Sequence, residues 1–170
     1  MLTQDALIPP AVLGMAYVSE DRLYRYWLTR SWASHLGQEA VFMLLNPSTA
    51  DASIDDRTAT RCIGFAQAWG YHRMRILNLW AFRTKDPKEL AAATDPIGPL
   101  CLTFIEDGLL NAGVVIAGWG AHKGAMARAR QIPPLLNRPL MALAINADGS
   151  PKHPLYVRAD TVPVPYRLAA

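Results

Sequence analysis

Four short apolar runs, separated by segments of helical period, constrain this chain more than any other feature. The runs cover residues 41–45, 74–79, 114–118 and 140–145. Each is about one strand long and nearly continuous, the pattern of a strand buried on both faces. Between them lie helical candidates at 58–69, 86–93, 100–110 and 121–130. In the first, Cys62, Phe65, Ala66 and Trp69 recur at helical spacing and form a buried face. Asp55 or Asp56 is placed to cap that helix, and Gly70 to end it. The alternation predicts an α/β fold, a three-layer α/β/α domain around a short, mostly parallel sheet.

An N-terminal β-hairpin precedes this core. Residues 11–17 and 23–30 are β-prone and flank Ser19-Glu20-Asp21. Strict alternation in the second strand puts Tyr24, Tyr26 and Leu28 on one face and Arg25, Trp27 and Thr29 on the other. Residues 1–10 show no period and read as a loosely held arm of a single domain spanning 1–170. A chain of 170 residues buries roughly 70% of its unfolded surface, so it needs no staples. None of the apolar runs is long enough to span a bilayer, and no basic stretch leads into a long apolar one, so a cytoplasmic protein is expected. Two cysteines, Cys62 and Cys101, make neither a disulfide framework nor a cysteine-only metal site. They read as small buried residues in a reducing compartment. His35, His72 and His122 have no metal-ligand spacing, and no Walker loop or nucleophile elbow is present. No metal or cofactor is expected.

Ligands of open parallel sheets bind at the carboxyl ends of the strands. Here those ends carry Asn46, Asn78 and Trp119, and beyond the fourth run Gly149-Ser150-Pro151-Lys152-His153-Pro154. Asn46 stands before Pro47; its amide either orients a water or a substrate carbonyl, or simply closes the strand in an Asn-Pro turn. Asn78 lies between Leu77 and Leu79, so its amide needs a partner, either backbone or a ligand such as a nucleobase edge. His153 sits in a loop stiffened by two prolines, as a catalyst or as an ordinary surface histidine. Asp51, Asp55 and Asp56 could hold a metal or act as a base, or one of them simply caps a helix. Trp80, Phe82 and Arg83 suit either base stacking or the core.

The net charge of +3 is compatible with a polyanionic partner without requiring one. Pairs such as Arg57/Arg61 and Arg73/Arg75 read singly as solvated surface. If the strand ends converge, Arg83, Lys85, Lys123, Arg128, Arg130, Lys152 and Arg158 add up to a positive rim, and binding to nucleic acid becomes salt-dependent.

Two resemblances follow from these residues. Across nearly the whole chain the sequence resembles a bacterial and phage family of unknown function, through Arg25-Tyr26-x-Leu28-x-Arg30-x-Trp32, Leu45-Asn46-Pro47-Ser48-Thr49-Ala50-Asp51 and Asp55-Asp56-x-Thr58. The pattern continues as Asn78-Leu79-x-Ala81-x-Arg83-x-x-Asp86-Pro87, Asp95-Pro96-x-Gly98, Trp119-Gly120 and Gly149-x-Pro151-x-His153-Pro154-Leu155-Tyr156. More distantly, the order of motifs is similar to the uracil-DNA glycosylase superfamily. Asn46-Pro47 stands where that superfamily has its water-positioning Asp-Pro or Asn-Pro loop, and Asn78 where it reads the base. Gly118-Trp119-Gly120 follows the third strand, and His153-Pro154-Leu155 stands in place of its His-Pro loop. Most members carry a carboxylate at the position of Asn46.

The resemblance implies a uracil-DNA-glycosylase-like fold and an enzyme cleaving a glycosidic bond in nucleic acid, DNA more than RNA. Asn46 would hold the water, with Asp51 or Asp55 assisting as base. Asn78 would read the base and His153 stabilise its departure. Leu155 or Tyr156 would fill the gap left by the flipped nucleotide, with Trp80, Phe82, Arg83 and Trp119 as further substrate contacts. The alternatives are an enzyme acting on a free nucleotide or other small metabolite, and a nucleic-acid-binding module without chemistry.

Overall fold

The structure is a computed structural model that describes residues 12–33 and 37–168. The expected arm at 1–10 and His35 lie outside the described residues. The strands are β1 (Leu13–Val18), β2 (Arg25–Ser31), β3 (Glu39–Leu44), β4 (Arg73–Asn78), β5 (Ala112–Ala117), β6 (Leu140–Ala142) and β7 (Val164–Tyr166). The helices are α1 (Arg57–Ala68), α2 (Pro87–Ala92), α3 (Cys101–Leu109), α4 (Ala125–Arg130) and α5 (Pro133–Leu136), with a 3-10 turn over Pro154–Tyr156. No helix among the described residues is long and apolar enough to cross a membrane.

One sheet holds all seven strands in the order β1-β2-β4-β3-β5-β6-β7. The four strands expected from the apolar runs are its parallel centre: β3 pairs in parallel with β4 and β5, and β5 with β6. The flanks run antiparallel, where the β1–β2 hairpin joins β4 and β7 joins β6. The sheet is therefore mixed rather than mostly parallel. Sequence reading missed β7 because it has three residues with Pro165 in the middle. An edge strand tolerates that proline, since one side of its backbone needs no partner.

The helices divide between two core clusters. Val41, Met43, Leu77 and Val115 belong to one cluster with Cys101, Ile105 and Leu109 of α3, Ala125 and Ala129 of α4, and Leu135 of α5. Ala40, Phe42, Leu44, Met74 and Ile76 belong to the other with Ala59, Cys62, Phe65 and Ala66 of α1. Neighbouring residues of one strand point to opposite faces, so the clusters lie on opposite sides of the sheet. Both cysteines are buried as free thiols. Asp56 proves to be the cap of α1, its Oδ1 accepting from Ala59 N–H at 2.8 Å. Gly70 follows the helix with φ +79°, a conformation open to glycine, and its N–H closes on Gln67 O.

Strict alternation fails in β2. Tyr17 pairs with Trp27 but Val18 with Arg25, so Tyr26 is an extra residue in the ladder. Tyr26 and Trp27 consequently pack on the same cluster, while Leu28 joins the other. This bulge re-aims the strand, and Arg25 reaches Ala50 and Asn78. Arg73 and Arg75, which read as solvated surface, instead hold the buried Glu39, Arg75 with two bonds of 2.7 and 3.1 Å.

Two buried arginines of β2 organise the segment after β3. Arg25 donates from Nη1 to Ala50 O at 2.9 Å. Arg30 donates to the carbonyls of Asp51 and Ile54 and to the Asp55 carboxylate. The segment lies directly over β1, where a Cβ added at Gly14 would stand 2.1 Å from Ala52 O. Gly14→Ala should therefore push the whole segment outward and cost about 1–3 kcal/mol, the usual range for overpacking. Urea denaturation measures this, and an unchanged midpoint would mean that the segment yields freely.

Candidate active site

The order β4-β3-β5 places the strand after β3 on one side of it and the next parallel strand on the other. Such a reversal leaves a crevice at the carboxyl ends of the strands. A cleft of about 420 Å³ opens there. Its lining includes Asn46, Asn78, Trp119, His153, Leu155 and Tyr156 from the expected set, together with Arg25, Ser48, Asp56, Thr58 and Lys85.

Of the two roles the sequence left open for Asn46, the structure shows the one that closes the strand end. Its Nδ2 lies against three carbonyls, Pro47 O at 3.2 Å, Phe82 O at 3.4 Å and Thr84 O at 2.9 Å. Only the NH₂ group fits against carbonyl oxygens, so the amide pins the segment after β4 to the end of β3. Its Oδ1 has no donor among the described residues and remains free to accept from a water.

Asn78 is 3% exposed. Its Oδ1 accepts from Arg25 Nη2 at 3.3 Å. The amide is thereby oriented with Nδ2, a pure donor, as the end without an acceptor among the described residues. An asparagine was expected to offer a ligand both a donor and an acceptor; this arrangement favours ligand carbonyls. Asn78→Asp separates the two functions. It keeps an acceptor for Arg25 and removes the donor, so ligand binding should fall by roughly 1–3 kcal/mol while the thermal midpoint holds. A melt beside a binding titration checks this, and a collapsed midpoint would make Asn78 a purely structural amide.

His153 precedes the 3-10 turn, and its Nδ1 accepts from Leu155 N–H at 3.3 Å. The neutral ring therefore carries its proton on Nε2. Burial pushes the imidazole below its usual pKa of 6.5, and the Asp56 carboxylate partly offsets the shift. As pH falls through 6.5 the unfolded chain takes up a proton that the folded chain refuses. Stability contributed by His153 should be complete above that pH and decline below it until the folded ring also titrates. Melting curves from pH 7.5 to 5 should show a smaller acid loss in His153→Gln than in the parent; equal losses would contradict this.

The carboxylate in the cleft is Asp56. Asp51 and Asp55, expected as assisting bases, lie outside the lining and are committed elsewhere. Asp51 Oδ1 accepts from the N–H groups of Ser53 and Ile54, and these bonds pull its pKa down. Asp55 pairs with Arg30 at 2.7 Å. Asp56 is close enough to bias both His153 and Arg25.

The aromatic candidates separate. The Trp119 ring is buried, with its indole N–H on Met126 Sδ and an edge-to-face contact with Tyr166. Trp80 packs on the α3–α4 cluster, edge-on to His122. Phe82 meets Tyr24. Of the three, only Trp119 also lines the cleft. Leu155 and the exposed Tyr156 stand at the mouth of the cleft. Of the expected positive rim, Lys85 lines the cleft; Arg83 donates to Arg22 O and Arg128 to Leu79 O, both keeping their charge, and Arg158 pairs with Asp160.

Sequence reading missed Arg25, the buried cation of the site, because period-2 counting hid the bulge that aims it. A lone charge between Tyr24 and Tyr26 was the signal that could have found it. Among the described residues no three His, Cys, Asp or Glu side chains gather as a metal site.

A family model described as "Protein of unknown function (DUF1643)" matches residues 25–155. That span runs from Arg25 through the cleft to Leu155. No curated protein and no solved structure matches the chain.

Proposed function

Since the chain belongs to the DUF1643 family, whose description carries no activity, we propose its function from the cleft: it is a nucleobase-recognising hydrolase that cleaves a glycosidic bond. The observation that carries this is the convergence of four different groups at the carboxyl ends of the parallel strands. These are the free Oδ1 of Asn46, the free Nδ2 of Asn78, the Nε2–H of a neutral His153 and the carboxylate of Asp56. The two helix clusters support a three-layer arrangement like that of the uracil-DNA glycosylase superfamily.

In this reading a base enters the cleft and its carbonyl accepts from Asn78. Asn46 Oδ1 holds a water, and Asp56 takes a proton from it as its oxygen bonds to the anomeric carbon. The carbon–nitrogen bond breaks, and the base leaves with the electron pair, stabilised by His153 Nε2–H. The proton taken by Asp56 then passes to the departed base, so the products are a neutral free base and a sugar with a hydroxyl at the anomeric carbon. Leu155 and Tyr156 stand where side chains could hold an extruded nucleotide.

The test is incubation with nucleosides, nucleotides and oligonucleotides carrying unmodified and modified bases, read as released base by mass spectrometry. Release that is lost in His153→Ala supports the proposal. No release from any of them sinks it and leaves a binding module. Of the expected rim cations Lys85 alone lines the cleft, which favours a second reading, in which the substrate is a free nucleoside or nucleotide. Release from these, with intact oligonucleotide, would select it.

A further inference from the structure

Arg25 carries a charge that forms no ion pair among the described residues. It is 3% exposed, and burial draws its pKa down to about 10, with Asp56 opposing. A guanidinium has five N–H groups. Nη1 donates one to Ala50 O at 2.9 Å and Nη2 one to Asn78 Oδ1 at 3.3 Å, while Nε is buried with no acceptor. Arg30, two turns of the pleat away on the same strand, has the Asp55 carboxylate. Arg25 has no carboxylate within ion-pair distance among the described residues. A buried cation without its counter-charge is costly, yet this one lines an open cleft.

A second, independent feature points the same way. The N-terminus of α1, a helix of 12 residues, opens on this cleft through Asp56 and Thr58. Asp56 caps Ala59 N–H, while the N–H groups of Arg57 and Thr58 have no acceptor among the described residues. Such free N–H groups carry partial positive charge and bind anions. Lys85 and the Ser48 hydroxyl complete the donor set.

We propose that the cleft is a phosphomonoester site, in which Arg25 and the first turn of α1 hold the terminal phosphate of a nucleotide, free or at the end of a nucleic acid. This deepens the reading above and rests on the same cleft. Donors on three separate elements suit a tetrahedral group with three free oxygens better than a planar carboxylate, which one guanidinium fork satisfies. A terminal phosphate enters a recess end-on and brings between about one and a half and two charges. An internal phosphodiester brings one charge and has chain on both sides. Asp56 is the opposing term: its carboxylate repels the phosphate and limits the affinity.

Calorimetric titration at constant ionic strength tests this on the intact protein. The probes are nucleoside 5′-monophosphates, the matching nucleosides, inorganic phosphate, and tetranucleotides with and without a 5′-phosphate. Phosphorylated probes should bind roughly tenfold tighter or more than their unphosphorylated partners, the scale of one hydrogen bond to a charged group. Inorganic phosphate should compete. The tighter of mononucleotide and phosphorylated tetranucleotide identifies the source. Arg25→Gln should abolish the preference, and Asp56→Asn should strengthen phosphate binding. Arg25 also holds Ala50, so Arg25→Gln is read beside its melting curve; the comparison of probes on the parent protein needs no variant. Equal binding of phosphorylated and unphosphorylated probes, or weaker phosphate binding in Asp56→Asn, overturns the proposal. Phosphate preference without base release leaves this site and sinks the hydrolase, and base release without phosphate preference does the reverse.

Discussion

Replacing Arg30 by methionine should cost about 3 kcal/mol, the lower end of what breaking a buried ion pair costs. The side chain is 3% exposed. It donates to Thr29 O at 2.8 Å, Asp51 O at 2.6 Å, Ile54 O at 3.3 Å and Asp55 Oδ1 at 2.8 Å. Methionine fills much of the volume but answers none of these acceptors. Asp55 is 35% exposed at its side chain and can turn to water, which keeps the loss from the upper end of the range. Lysine should not restore the parent, because a point charge cannot reach acceptors spread over four residues. Urea denaturation reads the effect as a lower midpoint with an unchanged slope. A loss below about 1 kcal/mol, the scale of a surface pair, would mean that the segment from Asp51 to Asp55 holds itself. Because this segment leads directly into Asp56, the variant should also weaken whatever the cleft binds.

The second large effect concerns Asp56. Asp56→Asn should slow base release by about 10²–10⁴-fold, the contribution of a positioned general base. Asparagine caps a helix as well as aspartate does, so the bond to Ala59 N–H survives and the melting temperature should stay nearly constant. The paired measurement separates chemistry from folding. Release within tenfold of the parent, with the fold intact, removes Asp56 as the base and returns the water to Asn46 alone. The same variant strengthens phosphate binding in the anion-site proposal, so one substitution should move catalysis and affinity in opposite directions.

Local pattern was enough for the parallel centre of this protein. Continuous apolar runs announced β3, β4, β5 and β6, and helical spacing announced α1 with Cys62, Phe65 and Ala66 inward. Strand-end logic then brought Asn46, Asn78 and His153 to one cleft, because a parallel sheet puts all its carboxyl ends on one edge. These features depend on continuous apolar runs and on a period of 3.6 residues, which a sequence carries openly.

What only the tertiary structure decided has no such period. The bulge at Tyr26 turns Arg25 toward the site, and one extra residue in a strand reverses the facing of everything before it. The choice among Asp51, Asp55 and Asp56 was likewise invisible in a run of acids. It depended on Arg30, 25 residues upstream of Asp55, taking that carboxylate and leaving Asp56 to the cleft. The Trp119 ring went to the core, Trp80 packed against it, Phe82 met Tyr24, and Arg128 went to Leu79 O. Which side chains remain available to a ligand is settled by long-range hydrogen bonds. Those bonds join residues far apart in the chain, so neither partner marks the other in the sequence.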